Sequence, residues 1–118
     1  MEVKKALTVF HYAEKIKSNL ILAAKLLESL EKIKQEDLAG AEKMFVAYLS
    51  TLISEVNIAA NASGVKEFMD VSAKLDEAVE QTLQHNYSAV MKLVSEAISI
   101  ATTGGSSAAE ILKEKNLI

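Results

Sequence analysis

The sequence predicts an all-α fold, an up-and-down four-helix bundle made of two helical hairpins with a short extra helix at the C-terminus. Three observations carry that prediction. Half of the residues are hydrophobic, yet the aromatic share is only three Phe and three Tyr, so Leu, Ile, Val, Ala and Met must do the packing. No proline interrupts the 118 residues and the glycines fall at 40, 64, 104 and 105, which leaves long stretches without a helix breaker. Residues 24–46 lie over residues 73–95 at a constant offset of 49 with seven identities, among them Glu28/Glu77, Glu31/Glu80 and Lys43/Lys92. One helical hairpin cannot bury its apolar face alone, and a duplicated hairpin would cover it. The length suits one domain, residues 1–118, with a single core.

The first helix is expected over residues 2–34, because Val9, Ala13, Ile16, Leu20, Ala23, Leu27 and Leu30 step by three and four. A helix of that length spans roughly 50 Å, so either something covers the overhang or a break falls near Ser18-Asn19. Between Leu20 and Leu27 apolar residues surround most of the helix, which predicts a position central in the bundle or between subunits. Asp37 is placed to cap a second helix running to about Asn61, with Leu38, Ala41, Phe45, Tyr48, Leu52, Val56 and Ala59 as its face. Ser63-Gly64 closes it with a residue suited to the left-handed terminal position.

A third helix follows from Val65 to about Gln84, with Phe68, Ser72, Leu75, Val79 and Leu83 on its inner face. Asn86, the counterpart of Asp37, would open a fourth through Tyr87, Val90, Met91, Val94, Ala97, Ile98 and Ala101. The turn at His85-Asn86 lacks glycine and proline, so one continuous rod over helices 3 and 4 stays open as an alternative. Thr102-Thr103-Gly104-Gly105 reads as a break, and Ser107-Ala108-Ala109-Glu110 as a capping box starting a last helix to about Lys115. Residues 1–23 and 106–118 have no counterpart in the repeat and carry apolar positions, so a partner-binding surface is expected there.

Several function classes are disfavoured. Without cysteine there is no disulfide framework, thiolate nucleophile or thiolate metal site. All thirteen basic residues are lysine and the net charge is -3, which removes bidentate guanidinium recognition and leaves no basic footprint for nucleic acid or anionic membrane. No segment has about 18 uncharged apolar residues, and the charged N-terminus offers no export signal, so a cytoplasmic protein without membrane contact is expected.

The residues that could carry chemistry form no motif. No Glu stands three residues before His11 or His85, as a carboxylate-bridged metal bundle requires, and both histidines read as boundary or solvated positions. Glu28 with Lys32, and Glu31 with Lys34, read as solvated helix-surface pairs. Gly104-Gly105-Ser106-Ser107 lacks the lysine and spacing of a phosphate loop. Tyr48, Ser72 and Thr82 could line a pocket between helices but are read as structural, Ser and Thr bonding their own helix carbonyls and the Tyr hydroxyl reaching the bundle edge. Met44, Met69 and Met91 read as core filler. The segments QEDLAGAEKMF and QHNYSAVMKLV are similar to tetratricopeptide-type hairpins over about ten residues each, but the offset of 49 departs from that family's period of about 34.

No catalytic, cofactor or metal site is therefore assigned. The expectation is a non-enzymatic interaction or scaffold module, a homodimer or the partner of another protein, because half-hydrophobic composition exceeds what one small bundle hides. The alternative is a small-ligand binder or enzyme with a site in the bundle core or at a subunit interface.

Overall fold

In the computed structural model, which describes residues 1–118, four helices pack against one another and there is no strand. They are α1 Val3–Leu30, α2 Gln35–Ser63, α3 Lys66–Leu83 and α4 Tyr87–Glu114. Each helix packs on the next and α4 closes the ring on α1. The closest association is α4 with α1, then α4 with α3, and the loosest is α1 with α2. The rod measures 54 × 23 × 18 Å, and no helix is long and apolar enough to cross a membrane.

The seven stepped positions named for α1 are all buried. The six from Ala13 to Leu30 meet Phe45, Leu49, Leu52 and Val56 of α2, Phe68, Val71 and Leu75 of α3, and Val90, Val94, Ala97 and Ala101 of α4 in one continuous core. Helix α1 is unbroken at Ser18-Asn19 and ends at Leu30 rather than near residue 34. Glu31, Lys32 and Lys34 thus lie in or beside the turn, and the pairings expected there with Glu28 and Glu31 do not form. The side-chain ion pairs are instead Glu14 with Lys17 and Lys74 with Glu96, and Glu42 is hydrogen-bonded to His85.

The cap assignments need correction. Asp37 lies inside the first turn of α2, whose N-cap position is Lys34, without a side-chain capping bond. Glu36 and Asp37 act through the helix dipole, where negative charge near an N-terminus is favourable. Asn86 does hold the N-cap position of α4 but makes no capping bond; its side-chain amide donates to Gln81 Oε1 (3.1 Å). The end of α2 is as predicted: Gly64 takes φ 71° and its N–H donates to Ala60 O (2.8 Å). Ser63 Oγ donates to Ala59 O (2.6 Å) and accepts from Val65 N–H (3.2 Å).

Helices α3 and α4 are separate, which removes the continuous rod. The turn is a Schellman motif: Asn86 N–H donates to Gln81 O and His85 N–H to Thr82 O, both at 2.9 Å. His85, at φ 61°, occupies the left-handed position that glycine usually fills. The end of α4 repeats the motif with Asn116 at φ 58°.

The largest correction concerns the C-terminus. There is no break at 102–105 and no short extra helix, because α4 continues through both glycines to Glu114. Each glycine is required by close packing on a different neighbour. A Cβ on Gly105 would stand 2.6 Å from Ala13 Cβ of α1, and one on Gly104 would stand 3.0 Å from Glu67 Cβ and 3.2 Å from Phe68 Cε1 of α3. Ala97, Ala101, Gly105 and Ala108 line the buried side of α4, so small residues let it approach α1. Within the two segments expected to bind a partner, Ala6 and Val9 pack with Ala108 and Leu112 in a second small core, while Leu7, Ile21, Leu22, Leu117 and Ile118 stay exposed.

The 49-residue offset does not describe the helix boundaries. Leu30 and Leu83, which end α1 and α3, are 53 positions apart, and Gln35 and Tyr87, which open α2 and α4, are 52 apart. Burial follows the second spacing, pairing Ile16 with Phe68, Leu20 with Ser72, Phe45 with Ala97 and Val56 with Ala108.

Candidate functional site

An apolar groove of about 380 Å³ runs along the loose α1–α2 seam. Leu26, Ser29, Leu30 and Ile33 form one wall, and Ala41, Met44, Phe45 and Tyr48 form the other. The large side chains of Leu30, Phe45 and Tyr48 hold the two helices apart. Tyr48 fixes the far end by donating its hydroxyl to the backbone carbonyl of Asn19 (2.8 Å). Burial, then the charge of Glu55, raises the Tyr48 pKa above its ordinary value, so the hydroxyl stays a donor at neutral pH. Leu26 is 43% exposed, Ile33 40% and Met44 77%. Leu22, one turn before Leu26, is also exposed, so the apolar strip continues along α1.

The second feature is a polar cluster linking α2 to the α3–α4 turn. Glu42 lies on the buried face of α2, only 7% exposed. The Tyr87 hydroxyl and the Nδ1–H of His85 (2.6 Å) both donate to its Oε2. Burial pushes the Glu42 carboxyl up, but the bonds from Tyr87 and His85 and the charge of His85 outweigh it, leaving the pKa below the ordinary value. Burial, the bond to Glu42 and its charge push Tyr87 up to about 12. Neither the groove nor any of four other cavities, of about 170 to 430 Å³, is lined by Glu42, His85 or Tyr87. The cluster's chemistry is that of an inter-helix tie. No buried side-chain nitrogen or oxygen is left without a hydrogen-bond partner, and no group of three His, Asp or Glu side chains could hold a metal ion.

The sequence-nominated residues do not converge. His11 is exposed on α1 with its ring against Tyr12, 6.3 Å between centroids. His85 is exposed, as expected of a turn residue, but its bond to Glu42 was not foreseen. Thr82 is fully buried and bonds Ala78 O of its own helix (2.8 Å), while Ser72 lies on the buried face of α3. Met44 and Met69 are not core filler, being among the most exposed large apolar residues, and Met91 is half-buried. Gly104-Gly105-Ser106-Ser107 lies inside α4 and has no free helix terminus to offer an anion. A comparison with protein-family models, curated proteins and solved structures finds no match to this chain.

Proposed function

We propose that this protein is a non-enzymatic helical interaction module that self-associates through the α1–α2 face. The observation that carries the proposal is the exposed groove lined by Leu26, Ile33, Ala41, Met44 and Tyr48 at the loosest seam of an otherwise closely packed ring. The bundle then divides into two helical hairpins with different tasks. In this reading α3 and α4 clamp the fold, and α1 with α2 presents the surface. Static light scattering between about 1 and 200 µM tests it. Mass rising from 12.8 kDa towards twice that value is the expected result, and a constant monomer mass refutes self-association.

The groove's volume favours a second reading, since about 380 Å³ falls within the roughly 300–1,000 Å³ of small-ligand sites. Its lining offers Ser29 and an already engaged Tyr48 hydroxyl as polar groups, so the ligand would be a small apolar molecule held without directional contacts. An apolar fluorescent probe that binds the monomer one-to-one, and is lost in Met44→Glu, would support this reading.

A further inference from the structure

The outward face of α2 carries an uncharged stripe. Gly40, Met44, Ala47, Thr51, Ser54 and Ile58 alternate steps of four and three, all six are exposed, and none is charged. That is the spacing of a coiled-coil seam. It lies opposite the buried face formed by Phe45, Leu49, Leu52 and Val56, so the bundle itself makes no use of it.

Resting on the self-association reading above, we propose that the occupant is a second copy of this chain whose α2 packs antiparallel on this α2, about a two-fold axis level with Leu49. The stripe is self-complementary in size about that level. Antiparallel pairing sets Gly40 against the partner's Ile58, Met44 against the partner's Ser54, and Ala47 against the partner's Thr51, so each larger side chain meets a smaller one. These are the layers an antiparallel seam forms. A parallel pair would stack Met44 on the partner's Met44 and Gly40 on the partner's Gly40, leaving a bulge and a void. It would also bring both copies of Glu36 and Asp37 to one end, with the helix dipoles aligned rather than opposed.

Two further observations fit this arrangement. Ala41 and Tyr48 lie on the edge of the stripe that adjoins α1, and antiparallel pairing sets like edges of the two copies against each other. The α1–α2 groove of one copy then faces that of its partner, and the exposed Leu22, Leu26 and Ile33 flank the joint. The molecule exposes 6997 Å², whereas a compact monomer of this mass exposes roughly 6,300 Å². The surplus of roughly 700 Å² is close to the ~800 Å² each partner contributes to a standard interface.

Because the chain has no cysteine, single replacements report the geometry directly. Met44→Cys and Ser54→Cys variants are each checked for dimerisation by light scattering and treated with a short bis-maleimide, alone and as a 1:1 mixture. Antiparallel pairing predicts at least tenfold more crosslinked dimer in the mixture, because identical positions lie 10 residues apart along the axis, about 15 Å. A third variant, Ala47→Glu, is expected to raise the dimer dissociation constant at least tenfold while its monomer melts within about 2 °C of the parent. Crosslinking of each variant with itself as readily as in the mixture, or no crosslinking in a protein that light scattering shows to be dimeric, overturns this inference and leaves self-association standing. A protein that stays monomeric overturns both.

Discussion

Replacing Gly105 by Ala isolates the contact that brings α4 onto α1. A Cβ at 105 would sit 2.6 Å from Ala13 Cβ, about 1 Å inside the ~3.5–4.0 Å at which carbon atoms pack. Neither methyl has a torsion with which to escape, so the helices must separate or bend. Overpacking of that kind costs about 1–3 kcal/mol, and the fixed position of both atoms argues for the upper half of that range. The substitution returns about 1 kcal/mol of helix propensity, leaving a net loss of about 1–2 kcal/mol. With an unfolding entropy of about 0.25 kcal/mol/K for a chain of this length, Tm falls by about 4–8 °C. The assay is thermal unfolding followed by circular dichroism in dilute protein, with two companions. Gly40→Ala, where nothing lies within 4 Å of the new methyl, is expected to raise Tm by about 2–4 °C, because propensity acts alone. Combining Gly105→Ala with Ala13→Gly moves the methyl across the contact and is expected to recover the parent stability within about 0.5 kcal/mol. If Gly105→Ala raises Tm as Gly40→Ala does, the close-packing account is wrong.

The remaining predictions concern the turns and the Glu42 cluster. Gly64→Ala, forced to keep φ 71°, should lose about 1–2 kcal/mol in chemical denaturation despite its exposed position. His85→Ala keeps the left-handed strain and loses the bond to Glu42, whereas His85→Gly loses only the bond, so the glycine variant should be about 1 kcal/mol more stable than the alanine one. The Glu42 pKa is lowered on folding, so its contribution is present above the unfolded carboxylate pKa of about 4.3 and is lost as pH falls through the folded value. Glu42→Gln should flatten the stability profile below about pH 4.5, and an unchanged acid limb would refute that role. Tyr87 has the opposite sign: its pKa is raised to about 12, so its contribution holds below about pH 10 and disappears on the way to 12. Tyr87→Phe should remove that part of the alkaline loss.

What could be read from the sequence followed the strength of the periodic signal. All seven α1 positions were legible because the three-four step is unbroken from Val9 to Leu30. On α2 the expected face was partly right: Phe45, Leu52, Val56 and Ala59 are buried, but Leu38, Ala41 and Tyr48 are only half-buried and Leu49 was left out. Glu42, Phe45, Leu49, Leu52 and Val56 keep the same step, but that face begins with a carboxylate. Placing a charged residue inside is legible only when its partners are known, and those lie 43 and 45 residues away. The double glycine was misread for a related reason. Local propensity counts each interior glycine as a cost of about 1 kcal/mol, whereas the fold needs both because two neighbours approach α4 on adjacent sides. The α3–α4 turn was placed at His85-Asn86, but a continuous rod stayed open beside it because His85 takes a conformation that sequence rules reserve for glycine.

The exposed surface and the tight seam have a common origin in side-chain size. Ala97, Ala101, Gly105 and Ala108 give α4 a low-relief side, so α1 and α3 can both come close to it. On the opposite side of the ring Leu30, Phe45 and Tyr48 are too large for α1 and α2 to meet as closely, and nothing within the chain fills the space between their outer edges. An intramolecular remedy would need larger residues at Ser29 or Ala41, which the sequence does not supply. The groove wall on α2 instead continues into an uncharged stripe from Gly40 to Ile58, while the outer face of α3 carries Asp70, Asp76, Glu77 and Glu80. Charge enters the α1–α2 seam only farther along, where Lys15 and Glu55 line its smaller cavities. A face meant only for water carries no penalty for charge, whereas an interface core disfavours it, and the uncharged stripe is in keeping with the self-association proposed above.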